Sequence, residues 1–219
     1  MDPAFLDATK CAQGAGGGTK FDAWERTYRA AVKAAAEKED LVAHHLKKYP
    51  AQPVPIWAVT EALSFGDLPY HFDLMIADDA RTVARQFGFE HPRKFGAVLR
   101  MMSDFRNVCA HGARLFNRAF KRALALSLHE TRGTWLAHLA EEEFTSTPKE
   151  RQRLYSYAAV LAFMLRSHSS GTTWHMTFKT HAKKFDMGLV DADGRPVVSR
   201  ERNMGFPAAW ESLPLWMND

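Results

Sequence analysis

Between Pro92 and Cys109 apolar side chains return every three or four positions: Phe95, Val98, Leu99, Met102, Phe105, Val108 and Cys109. That period belongs to a helix with one face against a core, and a strand would scatter it over both faces. The stretch from Phe21 to Lys48 repeats the signal. It is rich in Ala, free of Pro and Gly, and spaces Phe21, Trp24, Tyr28, Ala31, Val32 and Ala35 helically. The acidic run Glu37–Asp40 marks a kink or break there. Alternating patterns are scarce and no repeat of 20–50 residues is evident, so the expected fold class is all-α, one helical bundle with a C-terminal helical and loop extension packed on it.

Local signals place the other elements. Tyr49–Pro55 is a Pro-rich turn, and Pro55 begins a helix with Ile56, Val59 and Leu63 along one side. Ser64 to Asp67 reads as a turn in which Ser64 or Asp67 caps the next helix. Short helices are expected over 68–76 and 80–87, split near Asp78-Asp79 and closed by Gly88 in a left-handed cap. A face of Trp135, Leu136 and Leu139 is expected over 133–144. Thr147, Pro148 and Glu150 form a helix start whose helix runs to about Ser167, and another helix covers 172–185. His175 and His181 in that last helix read as structural or surface residues, and Trp210 and Trp216 as a hydrophobic clasp.

A chain of 219 residues is long enough for one domain with a sizeable core, and 15 Phe with 6 Trp favour such a core over disorder. Residues 1–20 read as a flexible Gly-rich lead, with the domain proper over 21–219. The run Gly14–Lys20 is not a phosphate loop, because Thr19 precedes the Lys and Phe21 comes after it. The two cysteines, Cys11 and Cys109, provide neither a disulfide framework nor metal-ligand spacing, and Cys109 reads as a reduced core residue. No apolar run is long enough to span a bilayer and no signal peptide opens the chain, so a cytoplasmic protein without membrane contact is expected.

The formal net charge of +4 is modest, but it is concentrated. From Arg100 to Arg122 six cations (Arg100, Arg106, Arg114, Arg118, Lys121 and Arg122) face one acid, Asp104. Such a density points to an anionic partner. Arg106, Asn107 and His111 sit within it. A guanidinium clamps phosphate oxygens with a fork of donors, and an imidazole exchanges protons near neutral pH. On a straight helix Arg106 and His111 lie about 140° apart. Convergence therefore requires the reach of the Arg, a loosened helix near Gly112, or a second subunit.

Three segments resemble one family. RNVCAHGARLFNR from Arg106, PIWAVTEALSFGDL from Pro55 and MGFPAAWESLPLW from Met204 are similar to motifs of abortive-infection proteins of the AbiD/AbiF type, in the HEPN superfamily of helical domains. Relatives often carry a second His where Gly112 stands and Trp where Phe116 stands, and a further helical region usually precedes the point where this chain begins. The resemblance implies a HEPN-like bundle and a metal-independent endoribonuclease that works without cofactor through the RNA 2′-hydroxyl. It gives His111 the role of general acid or base, Arg106 that of phosphate clamp and Asn107 that of a positioning group. Glu61 orients Arg106 or His111, or is an ordinary helix acid; Asn117 holds the backbone or binds a phosphate oxygen. Arg100, Arg114, Arg118, Lys121 and Arg122 guide the RNA backbone. The implied partners are RNA, a second copy of the chain, and a noncoding-RNA or antitoxin regulator in antiphage defence. Alternative readings are a non-catalytic RNA-binding module and a helical protein-interaction module with a basic face.

Overall fold

The computed structural model describes residues 20–59, 63–124, 133–140, 150–185, 190–194 and 197–218. Among them the fold is all-α, as the periodicity requires: α1 Lys20–Ala36, α2 Asp40–Lys48, α3 Ile56–Val59, α4 Leu68–Leu74, α5 Ala77–Gln86, α6 Pro92–Ala110, α7 Leu154–His168, α8 Trp174–Lys183 and α9 Arg200–Met204. Single 3-10 turns lie at Ala137–Ala140, Glu150–Gln152, Trp210–Ser212 and Pro214–Trp216. The chain forms two compact units that divide between Val83 and Ala84, within α5. No described helix is long and apolar enough to cross a membrane.

In the first unit the expected break falls at Glu37–Glu39, between α1 and α2. α1 packs on α2, α3 and α4. Trp24, Tyr28, Ala35, Val42, Val54, Val59, Leu63 and Leu74 form the core. Trp24 stacks on Tyr28 and lies against His71, whose pKa burial lowers. The Tyr28 hydroxyl donates to the Val54 carbonyl and pins the Pro-rich turn. Two local expectations need correction. The helices over 68–86 divide at Met75-Ile76, with Asp78 and Asp79 inside the first turn of α5, where carboxylates favour the N-terminal dipole. Asp67 stands at the N-cap of α4 without capping it, because its Oδ2 accepts from Ser64 N at 2.9 Å and Ser64 Oγ at 2.7 Å.

The second unit is built on α7. Tyr155, Tyr157, Ala158, Ala159, Val160 and Ala162 are fully buried, and a helix buried nearly all round must be central. α6 and α8 pack against it. Gly88 (φ +82°) ends α5, with Phe89 N donating to Ala84 O and Gly88 N to Arg85 O, both at 3.0 Å. It also lies hard against the Phe163 ring. The C-terminal clasp forms as expected, with Trp210, Leu215 and Trp216 buried. Trp216 Nε1 donates to the Tyr155 hydroxyl (3.1 Å), which donates in turn to His138 Nε2 (2.8 Å). Arg166 Nη1 donates to the carbonyls of Pro214 and Leu215, and Lys179 Nζ to those of Glu211 and Trp216. Thr147 and Pro148 lie outside the described residues; the helix they were expected to start begins at Leu154, after the 3-10 turn. His175 is buried and His181 exposed.

Candidate active site

Burial fades along α6. Phe95, Val98, Met101, Met102 and Ser103 are buried, Phe105 and Val108 half-buried, and Cys109 to Gly112 exposed. The apolar stripe thus anchors the first two-thirds of the helix and lets its last turn out into solvent. Cys109 is therefore an exposed free thiol and not the core residue its spacing suggested, although residual burial still pushes its pKa up.

The helix stops at a defined place. His111 is the C-cap, and Gly112 turns left-handed at φ +61°. Gly112 N donates to Cys109 O and Ala113 N to Val108 O, both at 3.0 Å, the paired closure of a Schellman motif. His111 N donates to Asn107 O at 3.0 Å. The exposed imidazole is thus carried on a backbone fixed by three bonds.

Four polar residues line one side of α6. Arg100, Asp104, Asn107 and His111 succeed one another at steps of four, three and four, which keeps them within about 60° of one another. Arg106 lies off this line, and α6 stays regular through Ala110, so the separation of about 140° from His111 holds for the Cα directions. The side chain narrows it. Arg106 Nη1 donates to Asn107 Oδ1 at 3.2 Å, and Asn107 stands one turn before His111 on the same face. The two Cα atoms are about 9 Å apart on a regular helix, within the span of one extended Arg and a shared phosphate.

The basic strap after α6 is fastened along the same line. Arg122 Nε donates to Asp104 Oδ2 at 2.8 Å, and the Tyr157 hydroxyl donates to Arg122 O at 2.5 Å. Burial, with the nearby Asp104 carboxylate, pushes the pKa of that hydroxyl up to about 12, so it remains a donor. Phe105, Phe120 and Tyr157 pack ring to ring beneath, and Phe120 N and Leu124 N donate to the carbonyls of Gln152 and Arg151. Arg122 is therefore partly committed to structure. Arg114 and Lys121 are exposed, and Arg118 and Arg100 half-buried.

Asn117 is held by both its backbone and its side chain. It is left-handed (φ +50°) and its Oδ1 accepts from Arg153 Nη1 at 2.8 Å. Arg153 Nη1 also reaches Asn203 O at 3.4 Å. Arg153 and Tyr157 carried no local signal, because each acts on a residue about 35 positions away. Glu61 lies outside the described residues. A cavity of about 420 Å³ among Phe21, Tyr28, Val32, Leu46 and Pro50–Val54 holds none of the candidate side chains.

A family model described as Abi-like protein matches residues 4–117, just over half of the chain, and ends within the turn after α6. The chain belongs to the Abi-like protein family. Arg100, Arg106, Asn107, His111, Arg114 and Asn117 of this Abi-like chain fall inside the match, whereas Arg118, Lys121, Arg122 and the Met204–Trp216 segment fall beyond it. No curated protein and no solved structure matches the chain.

Proposed function

We propose that this Abi-like chain acts in abortive-infection defence against phage as a HEPN-type, metal-independent endoribonuclease. The RNA 2′-hydroxyl attacks the adjacent phosphorus, the bond to the 5′-oxygen breaks, and a 2′,3′-cyclic phosphate remains. His111 takes the proton from the 2′-hydroxyl or returns one to the leaving 5′-oxygen. Arg106 holds the non-bridging oxygens, where negative charge grows in the transition state. Asn107 aims Arg106 towards the face of His111. Arg114, Arg118 and Lys121 carry the backbone on either side. A second copy apposed at the same helix end would supply the partner imidazole, so that one His111 serves as base and the other as acid.

The observation that supports this reading is the bond from Arg106 to Asn107, because Asn107 lies one turn before His111 on the same side of α6. Incubation of the protein with labelled RNA in EDTA tests it. Cleavage by the wild type, lowered at least ~100-fold by His111→Ala and by Arg106→Ala, is expected. Tight binding without any cleavage would replace it with the non-catalytic RNA-binding reading. Gel filtration should return a dimer.

A further inference from the structure

The basic turn has a neighbour that the motif does not contain. Phe116, in the turn after His111, stacks on Phe185 at 5.4 Å between ring centroids and 29° between planes. Phe185 lies just past α8, whose last residues are Lys183 and the C-cap Lys184, both exposed. The stack therefore sets two solvent-facing lysines beside the turn that bears Arg114 and Arg118. The junction is held from a second side, because Arg153 joins Asn117 to the Asn203 carbonyl and Arg200 Nη1 donates to Ala182 O at 3.4 Å. Arg200 itself is occupied by Glu211 at 3.7 Å. Lys183 and Lys184 thus add two exposed cations near the turn that carries Arg114 and Arg118, from a part of the chain beyond the family match.

We propose that the end of α8 is a second RNA-backbone subsite, in which Lys183 and Lys184 contact phosphates of the strand whose scissile group sits at His111. The subsite rests on the RNA-binding reading of the His111 site. Lysine suits it: a compact ammonium on a flexible stem neutralises a phosphate without fixing its orientation, as an extended strand requires. Each phosphate so neutralised adds about 0.7 to the slope of log affinity against log salt for single-stranded nucleic acid.

The test is fluorescence anisotropy with a labelled single-stranded 2′-O-methyl RNA, which cannot be cut through its 2′-position, across a salt series. The Lys183→Gln/Lys184→Gln protein should show a salt slope smaller by about 1.4 and an affinity roughly twentyfold weaker at 0.1 M salt. Lys33→Gln/Lys38→Gln removes the same charge from exposed positions in and just after α1 and should leave the slope unchanged. An unchanged slope in the α8 variant, or an equal fall in both, overturns the subsite while the ribonuclease reading stands. A wild type that fails to bind RNA at low salt overturns both. Both α8 positions are exposed, so the variants should melt like the wild type, which circular dichroism checks.

Discussion

Two demands meet at Asn117: its backbone is left-handed, and its side chain receives the Arg153 guanidinium. Glycine satisfies only the first demand and alanine neither. Asn117→Gly should cost about 1 kcal/mol for the lost charge-assisted bond, and Asn117→Ala about 1–2 kcal/mol more for the strained φ. Urea unfolding should rank wild type above Gly above Ala, and an Ala variant as stable as Gly would contradict the assignment. The sequence left Asn117 open between backbone and phosphate because its partner stands 36 positions away. Arg106 is the complementary case. Its two-pronged donor cannot be copied by an ammonium. Arg106→Lys should therefore keep RNA affinity within a few-fold and lower the cleavage rate constant by roughly 100-fold, as measured under single-turnover conditions.

At the level of elements, α5 and α6 both end on a left-handed glycine, but in different surroundings. A Cβ on Gly88 would lie 2.5 Å from Phe163 Cζ, whereas one on Gly112 would meet nothing within 4 Å. Gly112→Ala should cost only the conformational strain, about 1–2 kcal/mol, and Gly88→Ala should add an overpacking penalty of about 1–3 kcal/mol. Denaturation midpoints of the two variants measure the difference directly, and equal losses would contradict the packing at Phe163. The periodic signal of α6 was legible with its buried face, and the acidic run made the break between α1 and α2 legible too. Elements set by competition between nearby groups were not. Asp67 commits its carboxylate to Ser64 instead of to the helix behind it. The apolar pattern runs on to Cys109 although core cover ends sooner, because a hydrophobic period records which face is buried and not how far the neighbouring helices extend.

For the whole molecule, stability is tied to the C-terminal clasp, and the clasp to one neutral imidazole. Burial lowers the pKa of His138 from 6.5 to about 4, against a smaller opposing effect of its bond to the Trp135 backbone. Its Nε2 must stay unprotonated to accept from Tyr155, which in turn receives Trp216. Below pH 6.5 the unfolded chain takes up a proton that the folded chain refuses. The stabilisation is therefore complete above about pH 6.5 and lost progressively towards pH 4, for a total of about 3 kcal/mol. Unfolding free energies measured from pH 7.5 to 4 should trace that loss, with a flatter profile in His138→Gln. Charge at this scale was legible only as a sum; its use was not. Folding ties Arg122 to Asp104 and leaves Arg114, Lys121, Lys183 and Lys184 exposed to solvent. In the proposed function that exposed charge serves one reaction, transfer of a phosphoryl bond to the neighbouring 2′-oxygen by Arg106 and His111. End-group analysis of RNA incubated with the protein in EDTA tests it most directly. New 2′,3′-cyclic phosphate and 5′-hydroxyl ends that vanish with His111→Ala are the expected result. Intact RNA, or cut ends that persist undiminished in that variant, would contradict it.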